Sequence, residues 1–401
     1  MDRITGFGPV DSGSSPDGPL ILTGEKKEMK TGTKKYLIAS AVMVGSCIGA
    51  GVLGIPYVAA QAGLLATIIY ILVIGGIIYL VNLYLGEVVL RTKGDHQLIG
   101  YVERYLGKKA RHIMEFAVVF GIYTALIAYM SGMGQSLSQI FTGSIDYYIY
   151  FGVGVGLLMS VLLHGGIKSL KKFEKIGVFI ILALLLIIVG VFSPKIAFEN
   201  LSFFNMNNIF LPFGVVLFSL MSFHSIPEIK IIMKRNEKRF KKVLKTATIV
   251  SMSFYILFTI VIIGYKGIDT PQVATLSLGS IFIFLGIFTM FTSYLASGNA
   301  LRDSFQFDER FNNRTAWALA SLVPIGLFLL TQLTNFFSFT KLLSIGGVVS
   351  GGIMAIMVLL MIKKAKRNCN RKPEYETPAH WLVIGILILI FLFGVVKELF
   401  G

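Results

Sequence analysis

The sequence predicts an all-α polytopic membrane protein with eleven transmembrane helices, and three observations carry that prediction. Of 401 residues, 55% are hydrophobic and only 14% charged, too little charge to clothe a water-soluble domain of this length. The apolar residues gather into eleven runs of roughly membrane-spanning length. When those runs are assigned to alternate crossings, the 37 Lys and Arg residues fall on one side, save Lys195, Lys266, Lys341 and Lys397. By the positive-inside rule that side is cytoplasmic, which puts the N-terminus inside and the C-terminus on the opposite side. The net charge of +16 is then an orientation signal within reach of anionic lipid headgroups, not a nucleic-acid footprint.

Residues 1–35 are polar, carry the GSSPDG cluster and lack a signal-peptide apolar core, so they read as a disordered cytoplasmic tail. The first run, 36–62, is the unusual one. Gly45, Gly49, Gly51 and Gly54 crowd its middle and Pro56 follows. Each interior glycine costs a helix about 1 kcal/mol relative to alanine, and proline about 3. In hydrocarbon, backbone groups freed by a broken helix must be satisfied by protein, water or a ligand. A helix interrupted at membrane depth therefore marks a binding site.

The second run, 64–90, begins directly after Gly63, which requires a tight outer hairpin. Its Glu87, four residues before Arg91, reads as an i,i+4 ion pair, with a bundle-facing carboxylate as the functional alternative. The loop 91–112 leaves room for a short amphipathic piece. The third run, 113–140, carries Tyr123, Tyr129 and Gln135, which read as packing residues before cavity residues. The fourth and fifth runs, 147–164 and 173–192, are almost purely apolar, and no lysine lies mid-span; Lys175 sits at the cytoplasmic edge.

The sixth run, 209–233, repeats the oddity of the first. A polar cluster of Ser219, Ser222, His224 and Ser225 interrupts it, and Ser225-Ile-Pro227-Glu228 has the form of a capping box with proline in the first turn. The eighth run, 278–301, carries Thr289, Thr292 and Ser293 on one helix face. Back-bonding to their own helix is the simpler reading of those hydroxyls. The remaining runs are 243–265, 315–330, 342–362 and 380–400. Cys47 and Cys369 lie in different regions, without metal-ligand spacing, and do not suggest a disulfide.

Runs one and six are both interrupted, lie five apart and so cross in opposite directions, with Pro56 and Pro227 marking the breaks. Paired interrupted helices of this kind point to an inverted repeat with the binding site between the breaks. The repeats are then 36–193 and 194–363, and 364–401 adds a cytoplasmic loop and an eleventh helix.

The stretch GSCIGAGVLGIPYVAAQAG resembles the first-helix signature of the amino acid/auxin permease family and of the related aromatic amino acid permeases. FSLMSFHSIPEIK and TSYLASGNALRDSF are similar to their sixth and eighth helices. The resemblance implies a five-plus-five inverted repeat of the LeuT-like fold and secondary amino-acid transport. It implies that Ser46, Cys47, Gly49, Ala50, Gly51 and Val52 hold the amino acid through backbone atoms, faced by Ser219 and Ser222. It also implies a sodium ion between the carbonyls of Gly45 and Ile48 and the oxygens of Thr289, Thr292 and Ser293. The sixth-run break lacks the glycine many relatives have there. Proton coupling through Glu87 or His224 is the alternative, and an amino-acid sensor on the same fold is a further one. The spans hold no acid–base or metal cluster of the kind a membrane enzyme needs, and no cofactor is expected beyond the coupling ion. Neutral or aromatic amino acids are the expected cargo.

Overall fold

The computed structural model describes residues 19–164, 183, 185–308, 311–334 and 337–400. Among them every regular element is helical, and the one strand-like pairing is an isolated bridge between Gly63 and Phe204. The first run is divided into α1 (Pro19–Cys47) and α2 (Ala50–Ala62). Their membrane portions meet at a bend of 51°. α3 (Leu64–Arg91) follows after one residue, Gly63. The φ of +112° at Gly63, and a Phe203 carbonyl 2.8 Å from where a Cβ would sit, admit only glycine. This is the tight hairpin the sequence requires.

The amphipathic piece is α4 (Leu98–Leu106), seated through Leu98, Tyr101, Val102 and Tyr105. α5 (Lys108–Thr142) and α6 (Tyr148–His164) come next, and α7 (Leu185–Lys195) is the described part of the fifth run. The sixth run is divided like the first, into α8 (Pro212–Leu220) and α9 (Ser225–Ile232). α10 (Phe240–Lys266), α11 (Ser280–Asp303) and α12 (Asn313–Leu333) are continuous. The tenth run is α13 (Phe339–Ile345), a π-helical turn at Gly346–Gly351 and α14 (Gly352–Arg367), and α15 (Trp381–Phe400) ends the chain.

Among the described residues each of the eleven runs coincides with helix, but the lengths do not give eleven full crossings. Among the described residues, eight helices are long and apolar enough to cross a membrane, or nine with the bent first pair counted as one; Tyr148–His164 and Leu185–Lys195 are shorter. The expected tail is also corrected in part. α1 starts at Pro19, so residues 19–35 are helical, because Glu and Lys there are strong helix formers running directly into an apolar helix. The expectations for residues 1–18, for the basic loop after His164 and for most of the fifth run with Lys175 lie outside the described residues.

Packing partners follow the repeat. α2 packs on α8, α3 on α10, α5 on α11 and α6 on α12, so runs one to four each meet the run five places later. α1 crosses to α10 as α3 crosses to α8, as a pseudo-two-fold axis requires. The result is two groups. α1, α2, α3, α8, α9 and α10 form one, α5, α6, α11 and α12 the other, and the helices of the tenth run touch both.

Candidate functional site

Ile48 and Gly49 are the residues outside helix at the first break. Pro56 does not mark it: it lies inside α2, one and a half turns further on. The glycines are what break the helix, since their backbone entropy outweighs a ladder already weakened on both sides. Gly49 N–H donates to the Cys47 carbonyl at 3.0 Å, a tight turn in place of the helical bond. Ser46 is half-buried and its Oγ donates to Met43 O at 3.0 Å. Cys47, Ile48 and Val52 are buried, while Gly45 and Gly49 are half-buried. α2 begins here with no side-chain cap, so its first-turn N–H groups and dipole favour an anionic group. The side chain of Ala50 lies outside the described residues.

At the second break Met221 is extended, Ser222 lies outside regular structure, and Phe223 and His224 form a turn before α9. The capping box does not form. His224, not Ser225, precedes α9, without a side-chain cap. Ser225 Oγ instead donates back to the Ser222 carbonyl at 2.8 Å, which the Ser225 N–H also reaches at 3.1 Å. Pro227 sits in the first turn of α9, where its missing N–H breaks no bond. Ser219 and Ser222 are both buried. Ser219 Oγ donates to Val215 O at 2.7 Å, and Ser222 Oγ accepts from Asn82 Nδ2 at 3.1 Å.

The two breaks touch. The Cys47 thiol donates to the Leu220 carbonyl at 3.8 Å. A Cβ on Gly51 would overlap Ser219, whose Cα and Cβ lie 2.8 Å from that point. Across the cleft, a Cβ on Gly49 would meet Tyr129 Oη at 3.3 Å and Ser293 Oγ at 3.5 Å. The absent side chain of Gly49 thus lets a phenol and a hydroxyl wall in the α2 N-terminus. Tyr129, read from sequence as a packing residue, is one of these walls.

Of the eighth-run oxygens, Ser293 is the one that reaches the break. Thr289 Oγ1 donates to Leu285 O at 3.0 Å, and Thr292 Oγ1 to Phe288 O and Thr289 O at 3.1 and 3.0 Å. These protons point into their own helix, as the simpler reading held. Among the described residues no cluster of three His, Cys, Asp or Glu residues is placed to hold a metal.

Glu87 is fully buried at the inner end of α3, far more deeply than an interfacial pair. Its carboxylate meets Arg91 at 2.9 Å, Lys366 at 3.0 Å and the Thr377 N–H at 2.6 Å. The pairing with Arg91 is as expected, but the partners from the last turn of α14 (Lys366) and from the loop after it (Thr377) carry no local sequence signal. His224, by contrast, is exposed. Lys230 on α9, also unremarked in the sequence, is buried, donates to Thr92 O at 3.1 Å and faces Asp95 at 3.5 Å, which ties α9 to the turn after α3. It also lies against Tyr101, whose phenol burial pushes up to about 12.

Two interrupted helices meeting at mid-bundle, each first in its repeat, define a class: membrane proteins of the LeuT-like inverted-repeat fold. MhsT in complex with L-phenylalanine superposes with a TM-score of 0.64 at 13% identity, covering 90% of this chain and 98% of that one. The inward-facing conformation of Mhp1 gives 0.62 at 11% identity, over 91% and 88%. Within that class, the chain belongs to the tryptophan/tyrosine permease family, which it matches over residues 32–400. This replaces the broader amino acid/auxin assignment by a narrower one beside the aromatic amino acid permeases. Tyrosine-specific transport system 1 of Haemophilus influenzae is 25% identical over 231 residues, which span 56% of each chain. Glutamine transporter 2 of Aliivibrio fischeri is 22% identical over 391 residues, 91% of this chain and 99% of that one. The relatives are transporters, not enzymes.

Proposed function

We propose that this protein is a secondary active transporter that moves a neutral or aromatic amino acid across the membrane by alternating access. One observation carries the reading. The bare N-terminus of α2 at Gly49–Gly51 lies against Ser219 of the other broken helix, beside Tyr129 and Ser293. The α2 N–H groups suit a carboxylate, and carbonyls at the end of α1 suit an ammonium group or cation. Ser46, Cys47, Gly49, Ala50, Gly51 and Val52 contribute main-chain atoms, and Ser219 and Ser222 the opposite wall. The relatives bear names with tyrosine and glutamine, both neutral. The N-terminus is cytoplasmic on the distribution of Lys and Arg.

Sodium is the coupling ion in this reading, held by the Gly45 and Ile48 carbonyls and by Thr289, Thr292 and Ser293. A threonine that donates its proton to its own helix keeps lone pairs for a cation, so the back-bonding supports the set as readily as it explains the helix. Proton coupling is the second reading. Its best carrier is the exposed His224, because Glu87 is already held by two cations and an N–H. Uptake of labelled tyrosine, phenylalanine and glutamine into proteoliposomes tests both. An inward sodium gradient at equal pH should drive accumulation. Accumulation with a pH gradient alone would transfer the coupling to His224, and no uptake under either gradient would remove the transport reading.

A further inference from the structure

Tyr255 lies in the middle of α10 and is fully buried. Its Oη is 2.7 Å from the Cys47 carbonyl and 2.7 Å from the Ser219 carbonyl. Cys47 is the last residue of α1 and Ser219 the last but one of α8. Both carbonyls belong to helix ends opened by the breaks, where the Cys47 carbonyl keeps the Gly49 N–H of its tight turn, and both carry the negative end of a helix dipole. Two such ends converging in a dry interior would ordinarily attract a cation. Here a neutral phenol stands between them. It has one proton for two acceptors, so the two carbonyls share a single side-chain donor.

The surroundings are polar without being charged. Ser251, one turn before Tyr255 on α10, lies beside the Cys47 thiol, as does Ser222. Ser251 Oγ and Asn82 Oδ1 are buried without partners among the described residues. The buried region behind the breaks therefore gathers oxygen atoms from α1, α3, the 221–224 segment and α10, with Tyr255 at the point where the helix ends meet.

We propose that Tyr255 is a positioning residue that ties the two broken helices together and occupies, with its hydroxyl, the place where a cation would otherwise bind. The inference rests on the transport reading of the same site and adds to it. The buried region behind the breaks takes no ion in the native protein, so coupling is confined to a single cation at most. Tyr255 acts through Cys47 and Ser219 and so sets turnover more than substrate affinity.

The test uses the full chain in proteoliposomes and in detergent, with Tyr255→Phe. Loss of the shared donor should lower maximal uptake about twentyfold, with KM changed by less than about threefold. The vacated hydroxyl space should let sodium or lithium in. Purified Tyr255→Phe should therefore gain a saturable Tm increase of about 2 °C or more in NaCl or LiCl over choline chloride, beyond any shift of the wild type. Wild-type turnover together with a wild-type cation response in Tyr255→Phe would overturn the proposal. If that variant cannot be purified, Tyr255→Gln, which restores an N–H donor, decides. Uptake within about fivefold of wild type supports the tie, and a loss beyond about twentyfold overturns it. Should the wild type itself carry no amino acid, the transport reading fails, and the cation response of Tyr255→Phe still decides whether the phenol replaces an ion.

Discussion

The two breaks solve one problem by opposite means. The first removes side chains: Gly49 and Gly51 flank it, only two residues leave the helix, and α2 starts without a side-chain cap. The second has no glycine and leaves four residues outside helix. Donors brought to its carbonyls hold it open. Tyr255 reaches Ser219 O, the Cys47 thiol reaches Leu220 O, and Ser225 Oγ reaches Ser222 O. Asn82 holds the Ser222 hydroxyl. The difference teaches that a missing glycine does not limit unwinding when neighbouring helices supply hydrogen bonds. On the transport reading proposed above, the first break would present the α2 N-terminus to a ligand and the second would serve as a braced wall.

If that division is right, the largest effect comes from giving the first break a side chain. Gly51→Val would drive a branched carbon into Ser219 and force the breaks apart. Overpacking of this kind costs about 1–3 kcal/mol, and displacement of the α2 N-terminus should lower amino-acid uptake about a hundredfold. Substrate-dependent uptake by a variant that remains folded in detergent is the measurement. Near-normal uptake would mean that Gly51 is mere packing. On the second break, Asn82→Leu removes the brace on Ser222. The cost should stay near about 1 kcal/mol, because the substitution also removes the unpartnered Asn82 Oδ1 and so offsets part of the loss. Uptake about tenfold lower with KM little changed would mark a wall; an equal rise in KM would make Asn82 part of the binding surface.

Thr292→Val sharpens the comparison from the ion side. Its hydroxyl is satisfied within α11, so stability should change by less than about 1 kcal/mol. The sodium concentration for half-maximal uptake should nevertheless rise about fivefold if the hydroxyl lone pairs face the ion. An unchanged sodium curve would leave Thr292 as helix packing only.

Much of this arrangement is legible in the residues, and the gaps have physical causes. The runs, the hairpin at Gly63 and the pairing of two interrupted helices follow from hydropathy and glycine content, which act locally. The breaks fall among the glycines of the first run and within the Ser219–Ser225 cluster, as read from sequence; Pro56 and Pro227 do not mark them, because a proline tolerates a first turn or a tilted helix and the interruption lies where side chains are absent or braced. Ser225 looks like an N-cap from its spacing to Glu228, yet it is already the first residue of α9, one position past the cap. Tyr255, Lys230 and the Lys366–Thr377 partners of Glu87 act across distant chain positions, and nothing in their neighbours announces the contact. Tyr255 does share one α10 face with the buried Thr248, Ser251 and Thr259, a polar stripe at helical spacing that was open to notice.

The smallest expected effect discriminates best between the two kinds of break. Ser225 makes one bond, from Oγ to Ser222 O at 2.8 Å, and that carbonyl also accepts the Ser225 N–H at 3.1 Å. Ser225→Ala therefore leaves the carbonyl with its backbone donor and creates no orphan acceptor. A hydrogen bond lost without an orphan is worth about 0.5–1.5 kcal/mol, and uptake should fall by about twofold at most. A true capping serine at the head of α9 would behave differently. Its loss would strip a first-turn N–H of its acceptor, cost up to about 2 kcal/mol and loosen α9 together with Lys230. Tm and uptake of Ser225→Ala, set beside Glu228→Gln, separate the cases. Near-silent behaviour in both fits a wall braced from outside, whereas a matched loss in both would restore the capping box and move the origin of the second break to α9 itself.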